Sequence, residues 1–410
     1  MQNLRTHFPY RLPLAATCVK SLKLGRIGRI VPRGPFAASA VRRRKSSFAN
    51  LLWFARGGGD SSCPDFRRAG TFPGAIAAGH SSGSTLRPHP PIHWPSFRSD
   101  CLSVRMIRLG IVDFDSSHSV EFTQRFNHHG VDRDQWVEGA RVVAGCPGES
   151  LMSPERISQF TPQVEACGVE LVQQPEDLFE KVDAVLILSV CGAAHRARVL
   201  PFLQRQIPVY VDKPFANTWS DAEVMVQTAA ELNTLLWNAS AMRFTDDIAE
   251  LRNRKPQLGP LFGCTSFGPA WHVEGNPGLL HYGIHVVEQL YALLGPGCQR
   301  VSTMSTATCD VVTGIWHDGR IGTVRGQRQG STVYGLTVFT ERATIPQWTS
   351  TRNAYRNLCR KIVEGFTTGV APVPPAETLE VLQFILAANE SARCGGIPVE
   401  LSAVTSSAST

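Results

Sequence analysis

Lys213 stands at the end of the apolar run Ile207–Val211 and is followed at once by Pro214. A run of this kind reads as a parallel strand buried on both faces. The proline stops the strand and fixes the direction in which the lysine leaves it. In open α/β sheets ligands bind beyond the carboxyl ends of the strands, so Lys213 is expected at the mouth of a ligand crevice. Further along comes Gly278-Leu-Leu-His281-Tyr282-Gly283-Ile-His285-Val-Val-Glu288. An imidazole can exchange a proton with a hydroxyl, and a cation can steady the oxyanion that results. Converging on one crevice, Lys213 and His285 are tools for moving a proton and a hydride.

Alternating strands and helices must position Lys213. Strands are expected at 107–112, 140–145, 169–173, 183–190, 207–212 and 234–240. Helices fall between them, at about 119–128, 154–167, 176–181, 195–206 and 219–232. Pro201 is expected to kink the fourth. Short apolar strands separated by helices predict α/β architecture, a Rossmann-like doubly wound parallel sheet over residues 106–242. Residues 243–402 read as an α+β domain with a mostly antiparallel sheet. Its helices are expected at about 246–254, 279–294, 355–366 and 379–392, and its strands at 261–267, 311–317, 320–324 and 335–340. Asp318-Gly319 predicts a type I′ hairpin turn. Residues 403–410 read as a disordered tail.

The first strand-to-helix turn is where a dinucleotide pyrophosphate would rest on glycines. This turn reads Asp113-Phe-Asp115-Ser116-Ser117-His118-Ser119, with Asp113, Asp115 and Ser117 taken as the glycine positions. Two unit charges 4 Å apart repel by ~1 kcal/mol in water and ~4 kcal/mol near a protein surface. A helix N-terminus returns only ~0.3–1 kcal/mol. A phosphate can therefore sit here only if the aspartates turn away, or if serine hydroxyls hold it in a shifted place. The second strand, ending Val143-Ala-Gly145-Cys146, also lacks the acidic residue that usually grips the ribose.

Three local patterns in this order and spacing resemble the Gfo/Idh/MocA family of oxidoreductases over roughly residues 106–402. Asp212-Lys213-Pro214 resembles the family's Glu-Lys-Pro. Ser189-Val-Cys-Gly-Ala-Ala-His195 resembles the loop after strand four that lies along the cofactor. Gly283-Ile-His285 with Glu288 is similar to the family's Gly-x-His-x-x-Asp. The resemblance implies hydride transfer between NAD or NADP and a sugar, polyol or related hydroxyl compound. It casts His285 as general acid/base, and Lys213 as the cation that stabilises the alkoxide and positions the nicotinamide. It places Asp115, Ser116, Ser117, His118, Ser189, His195, Asp212, Lys213 and Pro214 along the cofactor. His281 stands where the family usually has an aspartate; with Tyr282 and Arg243 it is assigned to the substrate. A homo-oligomer is the family's habit.

Each residue also has a plainer reading. Lys213 could be a surface lysine at a strand end, His285 a core histidine and His195 a helix cap. Cys191 reads as inert packing, since no general base is evident beside it. Arg243 could form a structural ion pair instead of binding a substrate anion. His281 and His285, at i and i+4 with Glu288 one turn on, have metal-ligand spacing; the reading adopted is that no metal is bound. Two other functions use the same scaffold: non-redox binding of a carbohydrate-like ligand with a degenerate nucleotide site, or a lyase or glycosidase-like enzyme holding NAD tightly.

Charge divides the chain. Residues 1–105 carry 17 Lys/Arg against three Asp, a net of +14, while residues 106–410 carry a net of −7. The acidic part gives no reason to expect a nucleic-acid partner. The basic part shows no sustained period. Arg42-Arg-Arg-Lys45 ahead of an apolar stretch is similar to a twin-arginine export signal, and the acid-poor composition suits a transit peptide or a basic arm. The expectation is plainer: Met106, directly before the first strand, is the initiator. Eleven scattered cysteines without a CxxC pair argue against structural zinc and against a disulfide framework. No apolar run reaches membrane-spanning length. The sequence therefore predicts a cytoplasmic enzyme with a small-molecule substrate and no membrane partner.

Overall fold

The computed structural model describes residues 106–150 and 152–406. The expectations for residues 1–105, including the export-signal and initiator readings, lie outside the described residues. The first half alternates strand and helix: β1 (Ile107–Val112), α1 (His118–Phe126), β2 (Ala140–Cys146), α2 (Pro154–Glu165), β3 (Glu170–Leu171), β4 (Ala184–Ile187), α3 (His195–Gln204), β5 (Val209–Val211), α4 (Trp219–Glu231) and β6 (Leu236–Asn238). All six strands are parallel, in the order β3-β2-β1-β4-β5-β6. This is the doubly wound order with its switch point between β1 and β4. β4 is Ala-Val-Leu-Ile with every residue buried, as a central strand covered on both faces requires. Local signals set the helix starts. Pro154 opens α2, and Thr218 caps α4 by accepting from the Asp221 amide at 3.2 Å. Helix α3 runs through Pro201 to Gln204, and the segment at 175–178 is a 3₁₀ turn.

The second half comprises α5 (Asp246–Asn253), α6 (Lys255–Leu258), β7 (Leu261–Pro269), α7 (Gly283–Leu294), β8 (Cys298–Ser305), β9 (Cys309–Trp316), β10 (Ile321–Gln327), β11 (Gly335–Thr340), β12 (Thr344–Trp348), α8 (Ala354–Thr368), α9 (Pro375–Arg393), β13 (Val399–Glu400) and α10 (Ala403–Ser406). Its seven strands run β12-β11-β7-β10-β9-β8-β13, antiparallel except for the β7–β10 pair. The short α10 lies where a disordered tail was expected. The β9–β10 hairpin forms at Asp318-Gly319, but its turn is not type I′. Only Gly319 has positive φ, at 85°, and the Gly319 amide donates to Trp316 while the Trp316 amide donates to Arg320. A type I turn followed by a left-handed glycine gives this longer loop.

Two packing relationships carry the site. Helix α7 is buried along nearly its whole length, from Gly283 to Leu294 apart from His285, because most of its residues are apolar and it covers the second sheet. Helix α8 belongs to the second half in sequence, yet its Leu358 and Ile362 share a core with Leu186, Tyr210 and Trp237 of the parallel sheet. The two sheets are thus joined through common cores.

Candidate active site

Lys213 is buried, with 8% of its surface exposed, so it is not a surface lysine. It follows β5, and its peptide bond to Pro214 is cis. The strand end is braced by Asn238, whose side-chain amide donates to the Val211 and Asp212 carbonyls at 2.8 and 2.9 Å. Asp212 beside it is fully buried. Its charge is balanced by an ion-pair contact of 2.8 Å to Nδ1 of His118 and by Lys213. Burial pushes the Asp212 carboxyl up, but His118 and Lys213, through proximity and hydrogen bonds, outweigh it and hold it at about 2.

His285 sits in the first turn of α7, half-buried. Its Nδ1 lies 2.6 Å from the Ser240 hydroxyl, at the carboxyl end of β6. Burial first, then the charges of Lys213 and His118, lower its pKa well below the ordinary 6.5, so the ring is neutral at neutral pH. His281 is lowered to about 4 by burial and by Lys213. Both histidines therefore feel the Lys213 ammonium, and sequence and structure agree in bringing these three residues together. Tyr282 joins them through ring contacts to His281 and His285, with centroids 4.9 and 5.7 Å apart. His281 precedes α7, after a 3₁₀ turn over Gly278–Leu280, so the i, i+4 helix-face relation to His285 does not hold. Glu288 is paired with Arg243, and no cluster of three metal-ligating side chains is present among the described residues.

Arg243 is a correction to its substrate assignment. It is 5% exposed and lies between the carboxylates of Glu288 and Glu377. Those two ion pairs engage its charge and brace the 3₁₀ turn Ala241–Phe244, ahead of α5, against α7 and α9. His195 is likewise turned inward. It is fully buried, with Nε2 2.9 Å from the Ser189 carbonyl and Nδ1 3.1 Å from the Phe215 carbonyl. The ring lies between the post-β4 and post-β5 loops, and its N–H donates to one of these two carbonyls.

The turn after β1 resolves the charge problem posed by its sequence. Asp113 takes a left-handed φ of 66°, and its carboxylate accepts from Ser189 and from Arg198 at 3.1 Å. The same carboxylate folds over Gly148: a Cβ there would lie 1.8 Å from Oδ1. Asp115 accepts from the Val190 amide at 3.0 Å. Both carboxyls are raised, chiefly by burial. The aspartates thus turn away from the crevice, and the repulsion expected from the sequence is not aimed at it. Ser189 is committed to Asp113, and Ser116 Oγ accepts from the His118 amide at 3.3 Å. That leaves Ser117, half-buried at the N-terminus of α1, as the hydroxyl facing outward. Counted from Asp113, the third glycine position falls on His118, not on Ser117. The His118 ring fills that place, stacked on Phe122 and edge-on to Tyr355.

These residues fit a nicotinamide dinucleotide in a modified way. Lys213, Pro214 and His285 would meet the nicotinamide, and Ser117 with the α1 N-terminus would meet a phosphate displaced outward by His118. Sequence reasoning missed two polar side chains of the site. One is Ser240. The other is Asn276, fully buried, which accepts from the Gly192 amide at 3.0 Å and donates to the Val190 carbonyl at 2.7 Å and toward His281 at 3.4 Å. Ser240 was open to inference because it stands just past a parallel strand, where ligand groups gather. Asn276 had no such signal. A separate groove of about 1020 Å³ between α4 and α9, lined by Trp219, Arg393 and Ile397, contains none of these residues.

Residues 151–240 match the Gfo/Idh/MocA family model, an oxidoreductase family with an NAD-binding Rossmann fold. The match begins after β1 and its turn, the part that departs most from a glycine fingerprint. No curated protein matches the chain. Among solved structures, a probable dehydrogenase from Thermotoga maritima aligns at 18% identity with a TM-score of 0.58, over 73% of this chain and 100% of that one. The scyllo-inositol dehydrogenase of Lactobacillus casei with bound NAD(H) and scyllo-inositol aligns at 15% identity with a TM-score of 0.60, over 73% and 100%. A putative myo-inositol dehydrogenase from Sinorhizobium meliloti aligns at 13% identity with a TM-score of 0.60, over 72% and 100%. At these identities the likeness establishes the two-sheet fold.

Proposed function

We propose that the chain is a divergent member of the Gfo/Idh/MocA oxidoreductase family and that it transfers hydride between NAD(P) and a small sugar, polyol or related hydroxyl compound. The observation that carries this reading is the convergence of buried Lys213 with His285 and His281 beyond the parallel strands. Bound nicotinamide would supply the hydride chemistry. Lys213 places a positive charge where oxyanion character develops on the substrate oxygen. His285, held by Ser240, meets that oxygen and exchanges its proton. His281 and Tyr282 line the approach and offer hydrogen bonds to further hydroxyls.

Calorimetric titration with NADH and NADPH tests the reading, followed by hydride transfer with myo-inositol and scyllo-inositol as probes. Binding of one dinucleotide is expected; no binding to folded protein would remove the proposal. That outcome would favour the second reading, redox-neutral handling of a carbohydrate-like ligand by the same residues. The observation on its side is the turn after β1, where His118 replaces a glycine. A homo-oligomer forms part of the proposal. Ile321 and Phe339 are exposed on either side of Gly263 in the second sheet, and Trp348 is exposed on its β12 edge. No helix among the described residues is long and apolar enough to cross a membrane.

A further inference from the structure

We propose that Ser240 is a positioning residue that holds His285 with its proton on Nε2, so that the resting site offers a donor and takes its substrate in the carbonyl form. Ser240 is fully buried. Its Oγ accepts from the Met242 amide at 3.1 Å and lies 2.6 Å from His285 Nδ1. A hydroxyl has one proton to give. If it goes to Nδ1, every group in this chain is satisfied: Met242 N–H to Oγ, and O–H to the imidazole. If Nδ1 carried the proton instead, the buried serine proton would need another acceptor, and the hydrogen bonds of the described residues give it none. Buried hydroxyls are rarely left so.

The surroundings hold this arrangement. The Ser240 amide points to Oε1 of Glu288 at 3.4 Å, and Glu288 is fixed by Arg243 and through it by Glu377. Around His285 stand Lys213, His118, Asp212 and His281, with the rings of Tyr282 and Tyr334 at 5.7 and 6.2 Å. Burial, with Lys213 acting in the same sense, keeps the ring neutral. A neutral ring whose Nδ1 lone pair is engaged by serine has only Nε2–H to present. A carbonyl oxygen accepts and does nothing else, so it matches this donor directly. To take a proton from a hydroxyl, the ring must first move its own proton to Nδ1 and the serine hydroxyl must turn away. The resting site is therefore matched to a carbonyl oxygen as a hydrogen-bond acceptor.

The substrate part of this inference rests on the proposed function, but the tautomer does not. The test is long-range ¹H–¹⁵N correlation on ¹⁵N-histidine-labelled full-length protein at pH 7.5, with His285 assigned by its loss in His285→Gln. No cofactor or substrate is added, so failure here is distinguishable from failure to bind NAD(P). A single Nε2–H tautomer is expected in the wild type and in Ser240→Thr. Ser240→Ala is expected to lose the single-tautomer signature. An Nδ1–H tautomer in the wild type overturns the proposal, as does an unchanged single Nε2–H tautomer in folded Ser240→Ala. If Ser240→Ala does not fold, the wild-type and Ser240→Thr spectra decide, with the same tautomer required in both.

Discussion

His118 Nδ1 lies 2.8 Å from the carboxylate of Asp212, which links the turn after β1 to the strand end that carries Lys213. The third glycine position of a dinucleotide turn is thus occupied by a residue that takes part in the charge balance around Lys213. Substituting His118 acts on both places at once. His118→Gly should bring the turn closer to a glycine fingerprint and leave Asp212 with Lys213 as its remaining partner. Tighter NADH binding together with a lower melting temperature is expected. Calorimetry and thermal unfolding of one preparation read the two effects.

Asp212 makes stability sensitive to acid in a defined window. Its folded pKa is depressed to about 2 from an ordinary 3.8, so its contribution is complete above about pH 4 and is lost as pH falls toward 2. The size is about 2 kcal/mol. Asp212→Asn should be less stable than the wild type at pH 6, with the gap closing near pH 2. Urea melts at the two pH values measure it.

The histidines act in a higher window. His281 titrates near 4 when folded and near 6.5 when unfolded, so the unfolded chain binds more protons between these values and stability rises with pH across them. The raised carboxyls of Asp113, Asp115 and Glu288 work in the opposite sense. The comparison that isolates His281 is therefore between variants. His281→Gln should flatten the rise in stability between pH 4 and 6.5, and a wild-type slope in the variant would contradict its assigned environment.

Lys213→Met and His285→Gln address the chemistry. With a substrate that turns over, His285→Gln should lower kcat by about 10²–10⁴-fold, the range of positioned acid–base catalysis. Lys213→Met should lower it by about 10²–10³-fold, as for loss of one oxyanion-stabilising group. NADH affinity should change far less in both cases, which calorimetry beside steady-state kinetics separates.

Gly148 reports on the aspartate turn. It has φ of 66°, and a Cβ would meet Asp113 Oδ1 at 1.8 Å. Gly148→Ala should destabilise the fold by about 1–3 kcal/mol from backbone strain and displacement of the carboxylate. Asp113→Gly in the same chain should recover part of the loss, since a glycine suits φ of 66° at position 113 and removes the clash.

Much of this architecture was legible because it rests on local patterns. The all-apolar β4, the Lys213-Pro214 strand end and the apolar α7 announce themselves by residue type and period. Strands β8, β12 and β13 did not, because β8 and β12 alternate polar and apolar residues weakly and β13 has only two residues. The placement of α8 on the parallel sheet is a tertiary fact, since its apolar stripe fits either half equally well. Asp113 and Asp115 showed a correct problem and hid its answer: their partners Ser189, Val190 and Arg198 lie some 75–85 residues away. His195 and Arg243 were recognisable as unusual, but only burial and geometry show that they hold loops and helices together.

Asn276 gives the site a mechanical property. One side-chain amide grips both the loop after β4, at Val190 and Gly192, and the neighbourhood of His281. The loop along which a cofactor would lie and the histidine that would meet substrate are therefore connected through one side chain. By linkage, any effect that occupancy at the nucleotide side has on affinity at the substrate side is returned in the other direction by the same factor.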